Sequence, residues 1–174
     1  MGIKDLNAFL KEHTQGALKN MHFNELSGKT VAIDTSIYFY KFMYKNERFL
    51  ESFFNMIAHL RQYNITPIYV FDGKPPQNKD SVLKNRHEKV ANAKAAMEDE
   101  SLSEEQKNHL EKQTIRLTKQ HVDDIKQLLD LMGVSYVQAD GEAEAYASEM
   151  CRQGFVDYVA TEDMDTLAFG CPRM

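Results

Sequence analysis

The sequence has no tryptophan, only two cysteines and four prolines, and no apolar run near the roughly 18 residues that a membrane span requires. Cys151 and Cys171 form neither a disulfide scaffold nor a CxxC metal site, so reduced thiols in an intracellular protein are predicted. The amino terminus lacks the apolar core of a signal peptide, and Leu6 breaks the myristoylation pattern. We therefore expect a protein that is neither secreted nor attached to a membrane.

The composition is that of one ordinary globular domain. Of the 174 residues, 43% are hydrophobic and 27% are charged, a balance that favours a folded chain over a disordered one. The net charge of −5 has the wrong sign for a nucleic-acid binder, so such an activity requires a local basic surface. The six histidines show no HxxxH or similar spacing, which argues against zinc.

Acidic residues follow four predicted strands, and this is the most informative pattern in the chain. The strands predicted over 29–33, 66–71, 134–137 and 157–160 are followed in turn by Asp34, by Asp72, by Glu142 and Glu144, and by Asp163 and Asp165. Helical segments between them predict an α/β fold, with a mostly parallel central sheet flanked by helices. Because the carboxyl ends of parallel strands share one edge, six carboxylates are expected to converge there.

Such a group of like charges requires protons or cations. Two unit charges about 4 Å apart repel by roughly 4 kcal/mol at an effective dielectric constant near 20. Ligands that are all oxygen atoms favour Mg²⁺, Mn²⁺ or Ca²⁺ over zinc. A pair of metal ions held by carboxylates is a common means of cutting phosphodiesters. The pattern therefore predicts a metal-dependent phosphodiesterase.

Each acidic residue also has a structural interpretation. Asp34 could cap the helix that follows it, and Asp72 with Gly73 could form a turn. Glu142 and Glu144 could stabilise the first turn of a helix through its dipole. Recurrence at all four strand ends favours the metal interpretation.

The spacing within the two acidic pairs predicts different geometries. Asp163 and Asp165 are two residues apart, so in an extended segment both carboxylates would point the same way. On a helix, Glu142 and Glu144 would diverge by about 160°. Either the first helical turn is irregular, or one glutamate reaches a metal only through water.

Helices are predicted from apolar spacing over 3–10, 38–44, 50–63 and about 123–132, the last ended by Gly133. The 50–63 helix has an apolar stripe of Leu50, Phe53, Phe54, Ile57 and Leu60. Residues 78–118 contain few large apolar side chains and many charges, and a capping-box pattern runs from Ser103 to Gln106. This part is predicted to be a helical excursion over one edge of the domain.

Basic residues are concentrated in this excursion. Lys79 and Arg86 are seven residues apart, on one predicted helix face near the Asp72 strand end, where they would hold a scissile phosphate. A second stripe on one predicted helix face comprises Lys112, Arg116 and Lys119. The alternative is a solvated helix surface. Beside a metal site, however, a basic arch suits a negatively charged polymer.

Several motifs occur in order along the whole chain: Met1-Gly-Ile-Lys-Asp-Leu6, Val31-Ala-Ile-Asp-Thr-Ser36, Tyr69-Val-Phe-Asp-Gly-Lys-Pro-Pro-Gln77, Leu117-Thr-Lys-Gln-His121, Leu131-Met-Gly-Val134, Glu142-Ala-Glu-Ala145 and Ala160-Thr-Glu-Asp-Met-Asp165. Together they resemble the flap endonuclease family of structure-specific, xeroderma pigmentosum group G-like 5′ nucleases. The resemblance implies a PIN-like nuclease core over 1–174, with an N-terminal region 1–76, a helical gateway and cap 77–118, and an internal region 119–174. It also implies endonuclease and 5′–3′ exonuclease action on branched or 5′-flap DNA in replication and repair, in the nucleus or a viral replication compartment.

The resemblance further implies roles for individual residues. Two Mg²⁺ ions, with Mn²⁺ as a substitute, are expected, one beside Asp34, Asp72 and Glu144 and the other beside Asp163 and Asp165, with Glu142 acting through water. The DNA contacts that it implies are the scissile phosphate at Lys79 and Arg86, base stacking on Tyr40, and a close backbone approach at Gly2.

The sequence departs from the family pattern in two regions. It stops at Met174, before a Gly-Ser-Asp segment that supplies another metal ligand, a helix–two-turns–helix, and the tail through which a sliding clamp would bind. The segment 44–50 has fewer residues than the family's wedge loop, and Glu47 occupies a region that is normally basic. One alternative is therefore a catalytically incomplete DNA-binding fragment, or half of a split nuclease that needs its C-terminal part. A phosphatase or receiver-type domain fits less well, because Thr35 and Ser36 follow Asp34 where such phosphatases have Asp-x-Asp.

Overall fold

The computed structural model describes residues 6–14, 16–45, 48–73 and 114–174, together with Ser103, Gln106 and Leu110. The helices within these ranges are α1 Leu6–His13, α2 Thr35–Lys45, α3 Phe49–Gln62, α4 Lys119–Met132, α5 Ala143–Arg152 and α6 Asp165–Ala168, with a 3₁₀ turn at Phe23–Leu26. The strands there are β1 Thr30–Asp34, β2 Thr66–Phe71, β3 Ser135–Gln138 and β4 Tyr158–Ala160.

The four described strands form one parallel sheet in the order β3-β2-β1-β4, which confirms the predicted fold class. The chain moves outward from β1 through β2 to β3 and then returns to the opposite side of β1 for β4. The order therefore reverses between β1 and β4. In open α/β sheets, the crevice at such a reversal, beyond the carboxyl ends of the strands, is where ligands bind.

Helices cover both faces of the sheet, because alternate strand residues point to opposite sides. On one face, Phe53 and Ile57 of α3 and Leu129 of α4 pack in a core that includes alternate residues of β1 and β2. On the other face, α5 presents the small side chains of Ala143 and Ala147, which pack with Ala32, Val70 and Val159.

The helix predictions hold with local corrections. Helix α1 extends to His13, and the beginning of its predicted range lies outside the described residues. The α3 stripe is confirmed for Phe53, Ile57 and Leu60, but Phe54 is 47% exposed, because the buried side of α3 follows the i, i+4, i+7 positions that start at Phe53. Helix α4 ends, as predicted, at Gly133, whose left-handed φ of 62° suits glycine.

The capping box is confirmed, since the Ser103 N–H donates to Gln106 Oε1 and the Gln106 N–H donates to Ser103 Oγ. Both cysteines are buried, free thiols. Most of 77–118 lies outside the described residues, so the division of the chain into 1–76, 77–118 and 119–174 stays a prediction. In the described ranges, no helix has both the length and the hydropathy needed to cross a membrane.

Candidate metal centre

Asp34 is the last residue of β1 and is almost fully buried, with 3% of its surface exposed. Its Oδ1 atom accepts hydrogen bonds from the N–H groups of Ser36, at 3.0 Å, and Ile37, at 3.4 Å. The structural interpretation of Asp34 as a cap for α2 is therefore correct. Both hydrogen bonds use the same carboxylate oxygen, so capping is compatible with a second role.

Asp72 follows β2 and joins three elements. Its Oδ2 atom accepts a hydrogen bond from the Ser36 hydroxyl on α2, and its Oδ1 atom accepts one from the Ala143 N–H at the start of α5, at 2.9 Å. The strand end that carries Asp72 is thereby connected to the beginnings of two helices. One of these helices follows Asp34, and the other carries Glu144 in its first turn.

Gly73 allows the end of β2 to contact the loop between β3 and α5. Its N–H donates to the Gly141 carbonyl at 2.7 Å. A Cβ atom on Gly73 would lie 2.0 Å from the Ala139 carbonyl oxygen and 2.6 Å from the Asp140 carbonyl carbon. Glycine is required here by the close approach of two backbones, and this approach places Asp72 beside the loop that leads to Glu144.

Glu142 and Glu144 belong to different backbone conformations. Glu142 is the N-cap of α5, with an extended φ of −77° and ψ of 135°, and Glu144 lies in the first helical turn. The divergence expected for two helical positions therefore does not apply. Burial raises the pKa of Glu144 to about 7, with further contributions from the charges of Asp163, Asp34, Asp165 and Asp72, in that order.

The prediction that Asp163 and Asp165 lie in an extended segment is wrong. Met164 is helical, with a φ of −71°, and Asp165 is the first residue of α6. The Asp165 N–H donates to Asp163 Oδ1 at 3.1 Å, and this local side-chain bond replaces the extended conformation with a turn. Both aspartates nevertheless contribute to the raised pKa of Glu144.

Five of the six predicted carboxylates thus interact around Glu144, namely Asp34, Asp72, Glu144, Asp163 and Asp165. Burial, followed by the charge of Asp72, raises the pKa of Asp34 to about 6. Among the described residues, no lysine, arginine or histidine forms an ion pair with Asp34, Asp72, Glu144 or Asp163. Glu142 adjoins the cluster through the backbone, as the N-cap of α5.

The carboxylates do not form a closed coordination shell as they stand. In the described part of the chain, no three His, Cys, Asp or Glu side chains are grouped so as to hold a metal ion. Their interaction is electrostatic, and like charges without a cation between them repel. The donor set is nevertheless all carboxylate oxygen, and four of its members have no cationic partner in the described residues. It therefore fits a hard divalent cation.

The structure changes the prediction for part of the basic surface. Arg116 lies in a non-helical segment over 115–118, and Lys119 is the first residue of α4, so the two do not share one helix face. Thr118 caps α4 with an extended backbone, and this interrupts the predicted helix. Both basic side chains are exposed.

Several predicted DNA contacts cannot be placed, because Gly2, Lys79, Arg86 and Lys112 lie outside the described residues. Tyr40 is half-buried on α2 and packs edge-on against Phe39, with ring centroids 5.4 Å apart. Its hydroxyl accepts a hydrogen bond from the Leu117 N–H at 3.5 Å. Base stacking on Tyr40 stays a prediction.

Sequence reasoning missed Ser36, the Ala143 N–H and Gly73 as parts of the site. The Asp-Thr-Ser order of 34–36 indicated only a cap, and the link from Ser36 to Asp72 depends on the pairing of β1 with β2. Gly73 next to Asp72 could have been noticed as a point of close backbone approach.

The comparisons with known proteins agree with this geometry. The family model for the XPG N-terminal domain matches residues 1–93, and the family model for the XPG I-region matches residues 133–174. The chain belongs to the XPG-type flap endonuclease family. A family relative, flap endonuclease 1 of Chlamydomonas reinhardtii, is 40% identical over 191 residues, with 100% of this chain and 48% of the relative covered.

Two solved family structures share the fold. Flap endonuclease-1 from Methanococcus jannaschii has a TM-score of 0.64 and 34% identity, covering 88% of this chain and 54% of that one. The catalytic core of Rad2 in complex with a DNA substrate has a TM-score of 0.69 and 25% identity, and the match covers 97% of this chain and 47% of the Rad2 chain. This chain spans about half the length of the curated relatives it matches.

Proposed function

We propose that this chain carries the carboxylate site of a structure-specific 5′ nuclease, which hydrolyses phosphodiester bonds in branched or 5′-flap DNA by a two-metal-ion mechanism. The observation that carries the proposal is the convergence of four aspartates on Glu144, whose pKa is raised to about 7. A buried group of like charges costs free energy, and a bound cation would offset that cost. Such groups are therefore typical of functional sites. Membership of the flap endonuclease family supplies the reaction class.

The residues divide into two sets of ligands in this proposal. Asp34, Asp72 and Glu144 would hold one Mg²⁺ ion, and Asp163 and Asp165 would hold the other. Glu142 would contribute through water, in keeping with its place at the helix N-cap. Mn²⁺ would substitute, because it accepts the same oxygen ligands.

Each part of the site then has a chemical task. Bound divalent ions lower the pKa of water and neutralise charge on a phosphate during in-line displacement. Within the described ranges, Asp34, Asp72, Glu144 and Asp163 form no ion pair with a lysine or arginine that would compete with a metal ion. The Ala143 N–H and the Ser36 hydroxyl hold the orientation of Asp72. A polymer would bind beyond the carboxyl ends of β1 and β4, where the strand order reverses.

DNA contacts would come from the basic and aromatic residues predicted for that role. Lys79 and Arg86 would hold the scissile phosphate, the Gly2 backbone would approach the DNA beside the cut, and Tyr40 would stack on an unpaired base. Lys112, Arg116 and Lys119 would contact the phosphate backbone, Arg116 and Lys119 from separate surfaces instead of one helix stripe. This action would take place during replication and repair, in the nucleus or in a viral replication compartment; that the flap endonuclease relatives from Chlamydomonas reinhardtii and Glycine max are eukaryotic is consistent with the nucleus.

A second candidate function is a half-nuclease that binds DNA but needs a further segment to cut it. The chain covers about half of its curated relatives, and the described carboxylates are not closed around a metal position. Adding the second half of a related flap endonuclease in trans would separate the two candidates. Cleavage only in the mixture would support the half-nuclease, and cleavage by the chain alone would exclude it.

A cleavage assay tests the first candidate. The full chain is incubated with a labelled 5′-flap duplex in Mg²⁺ or in EDTA, alongside Asp34→Asn, Asp165→Asn and the surface control Asp123→Asn. We expect Mg²⁺-dependent cleavage by the wild type and the control, and a loss of at least about 1,000-fold in the two site variants. The site variants should still fold and bind the duplex. Equal cleavage by wild type and site variants would contradict the assignment.

A further inference from the structure

Ser36 connects two carboxylates that belong to neighbouring strands. It is the second residue of α2 and is half-buried. Its backbone N–H donates to Asp34 Oδ1 at 3.0 Å, while its hydroxyl donates to Asp72 Oδ2. One residue therefore holds the carboxylate at the end of β1 with its main chain and the carboxylate after β2 with its side chain.

The Asp72 carboxylate depends on such donors for its orientation. Asp72 is exposed and lies after the last residue of β2, so the sheet itself does not fix its side chain. Its other oxygen accepts the Ala143 N–H at 2.9 Å. With one donor on each oxygen, a rotation of the carboxylate in either direction breaks a hydrogen bond.

The two donors differ in what a substitution can remove. The Ala143 N–H is a main-chain group at the N-terminus of α5 and survives any side-chain change except proline. The Ser36 hydroxyl can be removed by itself, and Ser36→Ala keeps the N–H that donates to Asp34 Oδ1. Because alanine is favourable in helices, the change should not weaken α2.

We propose that Ser36 is a positioning residue, whose hydroxyl fixes the Asp72 carboxylate in the orientation in which Asp72 and Asp34 bind a divalent cation. The inference rests on the proposed function, because it takes these two aspartates as ligands of one ion. Hydrogen bonds that orient metal ligands typically change metal affinity by about 10- to 100-fold when they are removed. Ser36 itself would not touch the metal or the DNA.

The test is a calorimetric titration of Mn²⁺ into the full chain, without DNA, so that the result does not depend on cleavage. We expect Ser36→Ala to weaken Mn²⁺ binding by about 10-fold and Ser36→Thr, which keeps a hydroxyl, to stay within about 2-fold of wild type. Thr35→Val is the matched control. Thr35 is fully buried one residue away, and its hydroxyl has no hydrogen-bond partner among the described residues. Thr35→Val should therefore bind Mn²⁺ like the wild type.

A second background shows whether Ser36 acts through Asp72. In Asp72→Ala, which removes the oxygen that accepts the Ser36 hydroxyl, adding Ser36→Ala should change the remaining Mn²⁺ affinity by less than about 2-fold. A 10-fold further loss in that background would overturn the inference, since Ser36 would then act by another route.

The outcomes separate this inference from the function on which it rests. If the wild type binds Mn²⁺ and Ser36→Ala binds it as tightly or more tightly, only the positioning role of Ser36 would be overturned. A wild type that binds no Mn²⁺ would overturn the proposed metal site and the inference together. The role would be established if Ser36→Ala binds Mn²⁺ more weakly than the wild type, while Ser36→Thr and Thr35→Val bind it with nearly wild-type affinity.

Discussion

At the scale of single residues, Asp34 serves the fold and the proposed chemistry at once. Its Oδ1 atom caps α2, a role that asparagine would fill equally well. Its charge is a cost, because burial and Asp72 raise its pKa from 3.8 to about 6. A residue selected only for capping would not need that charge.

The metal-free protein should lose stability as the pH rises through the range in which Asp34 and Glu144 ionise. Their ordinary pKa values are 3.8 and 4.5, and the folded values are about 6 and about 7. Between these limits the folded chain binds more protons than the unfolded chain, so its free energy of unfolding falls with rising pH. Thermal unfolding in EDTA at pH 5 and pH 7.5 measures the effect.

Asp34→Asn is the diagnostic variant for this pH dependence. At pH 7.5 in EDTA we expect it to be more stable than the wild type by about 2 kcal/mol, and at pH 5 the gain should fall to about half of that value, because Asp34 is then protonated in the folded chain but already largely ionised in the unfolded chain. Asp123→Asn, an exposed acidic position on α4, serves as the control and should follow the wild type. A wild type whose stability rises from pH 5 to pH 7.5, with no difference in Asp34→Asn, would contradict the raised pKa values.

At the scale of elements, the contact between the end of β2 and the β3–α5 loop brings Asp72 to the first turn of α5. Gly73 makes this contact possible, because a side chain there would overlap the Ala139 carbonyl. The Gly73 N–H also donates to the Gly141 carbonyl. The arrangement of carboxylates from three different strand ends thus depends on one position without a side chain.

Gly73→Ala should destabilise the metal-free protein by about 2 kcal/mol, because the new methyl group forces the two loops apart. Gly141→Ala is the matched control in the same contact, since a Cβ atom at Gly141 meets nothing within 4 Å. Denaturant unfolding of both variants in EDTA measures the difference. Equal stability of Gly73→Ala and Gly141→Ala would show that the loops adjust without cost.

The sequence predicted the elements better than the links between them. Apolar runs that end in acidic residues were sufficient to place Asp34 and Asp72 at one sheet edge. The turn at Asp163 was missed because a side chain competes locally with the extended backbone. The prediction that Arg116 and Lys119 share one helix face was wrong, because the Thr118 cap interrupts the helix. The bond between Ser36 and Asp72 requires the register of β1 against β2, which no local pattern contains.

At the scale of the whole molecule, the strand order explains why the carboxylates meet. Asp34 is the last residue of β1 and Asp163 follows β4, and these strands are neighbours at the reversal of strand order. Asp72 and Glu144 reach the same edge from β2 and from the helix after β3. The carboxyl ends of all four parallel strands therefore lead to carboxylates at one edge of the sheet. The proposed nuclease function would give these carboxylates a purpose, and the proposed divalent ions would offset their mutual repulsion.

Direct measurement of Mn²⁺ binding by electron paramagnetic resonance tests this account most directly. For the full chain at pH 7.5, free Mn²⁺ should disappear in a saturable manner, and Asp34→Asn and Glu144→Gln should each weaken the binding by at least about 10-fold. Asp123→Asn should bind like the wild type. A wild type that leaves Mn²⁺ free in solution, or site variants that bind it as tightly as the wild type, would contradict the account.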